Sequence, residues 1–331
     1  MAAFGRNRLM KPEERTPMSH AGKKTVGKTV SSLDYPLLAR GVVEASGNGA
    51  ACKLPAGLYV VATPIGHLGD ITLRALVTLA GVEAIACEDT RVSGGMLTKY
   101  GIKKPLVPYH DHNADAAGAK ILERLQAGEA VALISDAGMP LVSDPGFRLV
   151  AACREQGLAV IVIPGANAAL TALAGAGLPS DQFHFAGFLP PKAAARRSAI
   201  AGFTAVSGTL IFYEAPQRLA ESLADMAAVL GGSRHVAVAR ELTKLFEETR
   251  RGTLAELAEF YAGQDVKGEI VILVAPAAET ATPVVADVAS MLKEALTTQS
   301  LRDAVNSVSI ISGVKKKDVY DLALRLTGKD E

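Results

Sequence analysis

The chain has 331 residues, of which 49% are hydrophobic and 21% charged, and its formal net charge is +1. This composition indicates a globular protein of about two domains, and it excludes one that binds nucleic acid over its whole surface. Three widely spaced cysteines argue against a disulfide framework. With neither a signal peptide nor an apolar run of about 18 residues, the sequence predicts a cytoplasmic protein without membrane contact.

The first 53 residues differ from the rest of the chain. They are polar and rich in Gly, Ser, Lys and Arg, and LDYPLL is their one apolar cluster. This composition predicts a disordered basic extension over residues 1–53. Basic tails often contact RNA, but a solvated tail without a dedicated role is the simpler alternative.

Short apolar strand patterns alternate with helical patterns over residues 54–167. The strand patterns are GLYVVATP, EAIACED, PLVPYH, EAVALISD and LAVIVIPG. Helical spacing follows each of the first four, and this alternation predicts a parallel α/β sheet with right-handed crossovers. We therefore expect an N-terminal α/β domain over residues 54–167.

A second α/β domain is predicted over residues 168–276, after the small-residue helix ANAALTALAGAGLP. Its strand patterns are FHFAGF, GTLIFYEA, the hairpin-like pair HVAVARELT and FEETRRGTL, and GEIVILVAP. Some of these strands follow one another without a helix between them, which predicts a mixed sheet.

The C-terminal segment reads as a separate small module. A linker-like stretch, AAETATPVVAD, precedes amphipathic helices predicted at 286–298, 300–311 and 316–326. We expect a helical, helix-turn-helix-like module over residues 285–331.

Five loops at the carboxyl ends of the first five strands are the candidates for a ligand site. They read TPIGHLGD, CEDTR, YHDHN, SDAGMPLVSDPG and PGAN. Turn formation alone explains any one of them equally well, but all five together point to a bound ligand. No GxGxxG follows the first strand and no Walker motif occurs, which argues against NAD and against a cofactor held by its phosphates.

The stretch SDAGMPLVSDPG resembles the signature of the bacterial 16S ribosomal RNA (cytidine-2′-O)-methyltransferases, a family of the tetrapyrrole methylase superfamily. Further similar stretches occur in order over residues 57–275: VATPIGHLGDIT, CEDTR, HDHN, IPGANAAL, FLPPK, FYEAPQRL, ARELTKLFEE and GEIVIL. The resemblance implies two α/β domains with S-adenosylmethionine (SAM) between them, and a homodimer. It also implies methylation of a cytidine ribose in the decoding region of 16S ribosomal RNA. We expect the RNA to be bound within the 30S subunit, with free RNA as the alternative substrate. His67, Ser93 and Asn167 depart from the family pattern, each replacing one polar residue with another.

The resemblance assigns the SAM site residue by residue. The loop Ser135–Asp144 wraps the ligand, Gly138 and Gly146 permit close approach of the backbone, and Asp144 is expected to cap the next helix. The predicted SAM-binding residues are Pro64, Ile65, Gly66, Ser135, Asp136, Ala137, Gly138, Val142, Ser143, Pro164, Gly165, Ala166, Tyr213, Glu214, Ala215, Gly268, Glu269 and Ile270.

Charged residues near these loops are the candidates for catalysis and RNA binding. A structural salt bridge is the simpler interpretation of each catalytic candidate. His110 and His112 suggest a metal, but a third ligand is not apparent and methyl transfer needs none, so no metal site is predicted. The catalytic candidates are Glu88, Asp89, Arg91, Lys192 and Glu241, and the candidates for RNA phosphates are Lys315, Lys316 and Lys317.

Two other functions stay open at this point. One is a SAM-dependent methyltransferase of a corrin or porphyrin precursor, and the other is a non-catalytic small-ligand-binding module. The basic C-terminal module and the doubled SDAG…SDPG loop favour RNA over a tetrapyrrole. The number of convergent loops favours an enzyme over a binding module. The three lysines have their own alternative, a solvated run on a packing module.

Overall fold

The structure is a computed structural model that describes residues 33–46, 54–277, 285–312 and 314–327. The described residues from Tyr35 onward belong to one compact unit. Among them, no helix combines the length and the apolar character that a membrane crossing demands.

The first sheet has five parallel strands in the order β3-β2-β4-β1-β5, which confirms the predicted parallel α/β sheet. Helices cover both faces, so β1, β2 and β4 are buried along their whole length. Because the strands are parallel, their five carboxyl ends meet at one edge. Its elements are β1 Gly57–Val61, α2 Leu73–Gly81, β2 Ala84–Cys87, α3 Thr90–Lys99, β3 Leu106–Pro108, α4 Ala114–Gln126, β4 Ala130–Leu133, α5 Phe147–Glu155 and β5 Val160–Ile163.

The second sheet is mixed, as predicted, with the order β6-β7-β10-β8-β9. Strand β6 runs parallel to β7, and every other pair is antiparallel. Phe188, Glu214, Arg240 and Ile270 therefore lie at one edge of this sheet. Its elements are α6 Ala168–Ala176, β6 Phe183–Phe188, α7 Ala193–Ala201, β7 Thr209–Glu214, α8 Leu219–Leu230, β8 His235–Arg240, β9 Glu248–Thr253, α9 Leu254–Tyr261 and β10 Ile270–Val274.

Three helices form the C-terminal module: α10 Val285–Thr298, α11 Leu301–Ser312 and α12 Lys316–Thr327. They agree with the predicted helices to within a residue at each end. They share a small apolar core that includes Leu292 and Val319.

The predicted disorder of residues 1–53 is wrong for part of that range. A helix, α1, covers Tyr35–Ala45 and packs on α2. Ala39 is only 3% exposed, so the LDYPLL cluster begins a helix with a buried face. Residues 1–32 and 47–53 lie outside the described part of the chain. The domain boundaries stay a prediction, although α6 packs on the second sheet rather than on the first.

Candidate functional site

A cavity of about 370 Å³ lies where loops of the first sheet meet the edge of the second. Loops that follow β1 and β4 form one wall, and the ends of β6, β7 and β10 form the other. Predicted SAM-binding residues supply most of the lining: Ile65, Asp136, Ala137, Val142, Ser143, Tyr213, Glu214, Ala215, Gly268, Glu269 and Ile270.

Ser135 and Gly138, also predicted for the site, support the wall without lining it. The Gly138 amide donates to the Thr63 carbonyl at 3.1 Å, and the Thr63 amide donates back to Gly138 at 2.9 Å. The Ser135 hydroxyl closes the same turn at 3.2 Å from the Gly138 carbonyl oxygen. Gly138 has a φ of +84°, and a Cβ there would lie 3.1 Å from Ile65 Cγ2. A side chain at Gly138 would therefore crowd Ile65, which lines the cavity.

Pro64 and the loop Pro164–Ala166 likewise stand outside the lining. Gly165 lies so close to β1 that a Cβ would be 2.9 Å from the Cβ of Ala62. Asn167 then caps α6, its side-chain oxygen accepting from the Leu170 amide at 3.0 Å. Asn167, although it departs from the family pattern, therefore serves as a helix cap. These residues hold the carboxyl ends of β1 and β5 together.

Gly66 contacts the second sheet instead of the cavity. A Cβ on Gly66 would lie 2.6 Å from Lys244 Cγ, and the His67 amide donates to Thr243 Oγ1 at 3.0 Å. The loop after β1 and the turn between β8 and β9 therefore touch directly. Leu242, on that turn, lines the cavity and was missed because nothing in the sequence separates it from a core residue.

Glu241, a catalytic candidate, is engaged in folding that same turn. Its Oε1 accepts from Lys244 Nζ at 3.0 Å and from the Glu269 amide at 3.1 Å. Burial acts to raise the pKa of Glu241, but these hydrogen bonds outweigh it and leave the pKa lowered. Gly268 is required beside it, because a Cβ there would lie 2.5 Å from the Glu241 carboxyl carbon. The salt-bridge interpretation fits Glu241.

Glu214 is 2% exposed, and its side chain forms its interactions within the second α/β domain. The carboxylate accepts from the Ser222 hydroxyl and pairs with Arg218, both at 2.5 Å. Tyr213 beside it packs edge-on against Phe188, with ring centroids 5.6 Å apart, and Phe188 also lines the cavity. Because β6 exposes Phe188 at its end, this part of the wall is aromatic and apolar.

Asp144 lines the cavity and does not cap a helix, so the capping prediction is wrong. The N-cap of α5 is Gly146, and the left-handed turn at Ser143 directs Asp144 into the site. Burial, together with the charges of Glu88 and Asp136, raises the pKa of Asp144 to about 6. Three carboxylates therefore influence one another at the carboxyl edge of the first sheet.

A second cavity, of about 460 Å³, adjoins the first and shares Asp136 with it. Glu88, Asp89, Arg91 and His110 are among its lining residues. Arg91 pairs with Asp89 through its Nε and Nη2 at 3.1 and 2.7 Å, and these hydrogen bonds lower the pKa of Asp89 to about 2. The salt-bridge interpretation therefore fits Asp89 and Arg91.

Glu88 differs from its neighbours. Burial raises its pKa, and the nearby carboxylates of Asp136 and Asp111 raise it further. Within the described residues its carboxylate makes no ion pair, so Glu88 is the catalytic candidate left free to take a proton. Lys192 lies apart from both cavities, exposed at the N-terminus of α7.

The two histidines line the second cavity, whereas the three lysines lie apart from both cavities. His110 and His112 sit at a turn with ring centroids 6.1 Å apart, and no metal-binding group of three or more ligands exists among the described residues. Lys315, Lys316 and Lys317 are all exposed at the start of α12.

Comparisons with known proteins give the class first. Residues 57–258 match the model for Tetrapyrrole (Corrin/Porphyrin) Methylases, and residues 282–327 match the model for the RsmI C-terminal HTH domain. Among solved structures, the methyltransferase CobJ covers 67% of this chain and 95% of its own, with a TM-score of 0.52 and 19% identity. Diphthine synthase covers 66% and 89%, with a TM-score of 0.52 and 14% identity. These structures show the tetrapyrrole methylase fold alone.

Sequence relatives then define the family. Ribosomal RNA small subunit methyltransferase I of Mesorhizobium japonicum is 51% identical over 277 residues, which are 83% of this chain and 94% of the relative. The protein of the same name from Pseudomonas aeruginosa is 48% identical over 82% of this chain and 98% of its own. The chain belongs to the ribosomal RNA small subunit methyltransferase I family, and it is a methyltransferase.

Proposed function

We propose that this protein transfers a methyl group from SAM to the 2′-hydroxyl of a cytidine in the decoding region of 16S ribosomal RNA, within the 30S subunit, and that it acts as a homodimer. The observation that carries the proposal is the acid-lined cavity between the two sheets, in a chain whose relatives are named ribosomal RNA methyltransferases. The cytidine, the ribose hydroxyl, the 30S context and the dimer rest on the resemblance stated above.

The cavity suits SAM in size and chemistry. Its volume of about 370 Å³ is typical of small-molecule sites. Asp136, Asp144 and Glu269 line it, and none of its described lining residues is Lys or Arg. Glu269 pairs with Lys244 from outside the lining at 3.1 Å, so Asp136 and Asp144 are the two of these carboxylates that have no cationic partner in the described part of the chain and can face a cationic ligand. Ile65, Leu242 and Phe188 add the apolar surface that an adenine ring needs. When bound, SAM supplies an electrophilic methyl group on a sulfonium.

Catalysis then depends on placing the acceptor. In-line transfer needs the hydroxyl oxygen about 3 Å from the methyl carbon. The second cavity adjoins the first at Asp136 and is the natural place for the acceptor nucleoside. Glu88 lines it with a raised pKa, so its carboxylate can take the hydroxyl proton as the oxygen attacks.

The C-terminal module is the proposed contact with RNA. Lys315, Lys316 and Lys317 are exposed at the N-terminal end of α12, where the helix dipole disfavours positive charge. An electrostatically unfavourable position is easier to understand if phosphates complement the lysines.

A tetrapyrrole acceptor suits the second cavity less well. Corrin and porphyrin precursors carry several carboxylates, and these would meet Glu88, Asp89 and Asp136 at close range. Among the described residues that line this cavity, Arg91 is the one arginine, and it is already paired with Asp89. Like-charge contacts of this kind disfavour binding.

Three measurements test the proposal. Calorimetry should show SAM binding and no NAD binding by the full-length protein. Methyl transfer to 30S particles from a strain that lacks the gene should then restore one ribose methylation, mapped to a cytidine. Tight NAD binding without SAM binding, or methylation of a base instead of a ribose, would contradict it. Light scattering that finds only monomers would refute the dimer.

A further inference from the structure

Helix α1 lies outside the residues that match the methylase model, yet it is joined to the predicted SAM site. Ala39 of this helix belongs to the core that lies on one face of the first sheet. Tyr35, at its start, packs edge-on against Tyr100, with ring centroids 6.0 Å apart and planes at 83°. The helix therefore contacts the residue that ends α3.

Tyr100 in turn holds the loop that follows β1. Its ring is 2% exposed, and its hydroxyl donates to the Leu68 carbonyl at 2.6 Å. Leu68 begins a short 3-10 turn, Leu68–Asp70. Tyr35 reaches the same turn, because a Cβ on Gly69 would lie 3.8 Å from the Tyr35 hydroxyl.

The loop leads directly into the cavity wall. His67 Nδ1 accepts a hydrogen bond from the Gly69 amide at 3.1 Å, and the His67 amide donates to Thr243 Oγ1 at 3.0 Å. Gly66 touches Lys244, and Ile65 lines the cavity. Contacts thus run without a break from α1 to the wall, through Tyr100, Leu68 and His67.

We infer that α1 is a brace for the SAM site, and that Tyr35 and Tyr100 are positioning residues for the loop Ile65–Asp70. The inference rests on the proposed function for the identity of the ligand. The Leu68 carbonyl accepts two hydrogen bonds, a long one of 3.4 Å from the Ile71 amide within its own turn and the short one of 2.6 Å from Tyr100. The Tyr100 bond is the one that ties this turn to α3, so its loss leaves the loop less restricted. A loop held in its binding arrangement gives a higher affinity than one that reaches it only part of the time.

Tyr100→Phe in the full-length protein is the direct test, because it removes the hydroxyl and keeps the ring. We expect SAM to bind about five-fold more weakly, since the loop would occupy its binding arrangement for a smaller fraction of the time. Hydrogen exchange at residues 64–71 should become faster. Tyr35→Ala should act in the same direction, and the double variant should show less than the sum of the two effects, because both act on one loop.

Tyr59→Phe is the matched control. Tyr59 is 5% exposed, and its hydroxyl donates to the Pro55 carbonyl at 2.9 Å. Pro55 precedes the amino end of β1, whereas the loop Ile65–Asp70 follows its carboxyl end. This variant loses a comparable hydrogen bond and should keep wild-type SAM affinity. Equal SAM affinity in Tyr100→Phe and wild type, or equal weakening by Tyr59→Phe, would overturn the inference.

Two further outcomes keep this test separate from that of the proposed function. If the wild type does not bind SAM, the proposed function is wrong, and hydrogen exchange at residues 64–71 still tests the brace without any ligand. Unchanged exchange there in Tyr100→Phe would overturn the inference by itself.

If Tyr100→Phe does not fold, the variant Tyr35→Ala decides, because it removes only a half-buried ring at the end of a helix. Wild-type SAM affinity and unchanged exchange in folded Tyr35→Ala would also overturn it.

Discussion

Replacing Asp144 with asparagine should stabilise the fold at neutral pH. The pKa of this carboxyl rises from 3.8 to about 6 because of burial and the charges of Glu88 and Asp136. A raised pKa means that the folded state holds the proton more tightly than the unfolded state. Stability is therefore lost as the pH rises from about 4 to about 6.

The size of the effect follows from the two pKa values. A difference of about two units between the folded and unfolded pKa values corresponds to about 3 kcal/mol for a carboxyl fully shielded from solvent, at about 1.4 kcal/mol per unit. Asp144 is only partly buried, so solvent screening reduces the expected gain to about 1–2 kcal/mol at pH 8. At pH 4 the variant and the wild type should be equally stable, which urea unfolding at both pH values can measure.

The affinity for SAM should rise with pH, whereas the stability of the fold falls. The ligand is cationic, so it favours the ionised carboxylate. With a pKa of about 6 in the free protein, wild-type affinity should fall about tenfold from pH 7 to pH 5. Asp144→Asn should bind SAM weakly at both pH values. Exposed Asp181, before β6, is the control, because Asp181→Asn should change neither property. A wild-type affinity that is equal at pH 5 and pH 7 would refute this reasoning.

Three further variants test the remaining assignments. Glu88→Gln should lower kcat about 100-fold while SAM affinity stays within about twofold, because it removes only the base, and full kcat would contradict the role. Gly138→Val should lose SAM binding and stay folded by circular dichroism, since φ is +84° there. A folded variant with normal SAM binding would show that this turn does not shape the site. Changing Lys315, Lys316 and Lys317 together to Gln should reduce the salt slope of 30S binding by about 2–3. Equal slopes for variant and wild type would mean that the module is a packing element.

The fold was readable from the sequence because its strands and helices have clear periods. Buried β-branched runs ended at Gly/Pro loops, and the hairpin-like pair became β8 and β9. Helix α1 was missed for a physical reason. An isolated helix of 11 residues is unstable by itself, and this one gains its stability from packing on α2 and Tyr100. Tertiary contacts of that kind leave little trace in local sequence.

The site was predictable in its backbone more than in its side chains. Motif resemblance located the loops, but it could not distinguish Ile65, which lines the cavity, from Gly138, which supports it. One missed signal was available. Glu214 and Arg218 carry opposite charges and stand four residues apart, at the end of β7 and in the 3-10 turn Pro216–Arg218 that follows, and the structure pairs them. The hydrogen bond from the Glu269 amide to Glu241 could not be predicted from the sequence, because 28 residues separate the two.

Strained backbone occurs in both walls of the cavity. Four non-glycine residues among the described ones have positive φ: Leu141 at 71°, Ser143 at 66°, Glu241 at 52° and Thr243 at 64°. Left-handed backbone costs roughly 1–2 kcal/mol at such residues, and it persists only where the surrounding contacts enforce it. The first two lie in the loop after β4, which directs Asp144 into the cavity, and the last two lie in the turn that presents Leu242. Both strained segments therefore place side chains in the wall of the cavity, which is where a fold gains from holding an unfavourable conformation in advance of binding.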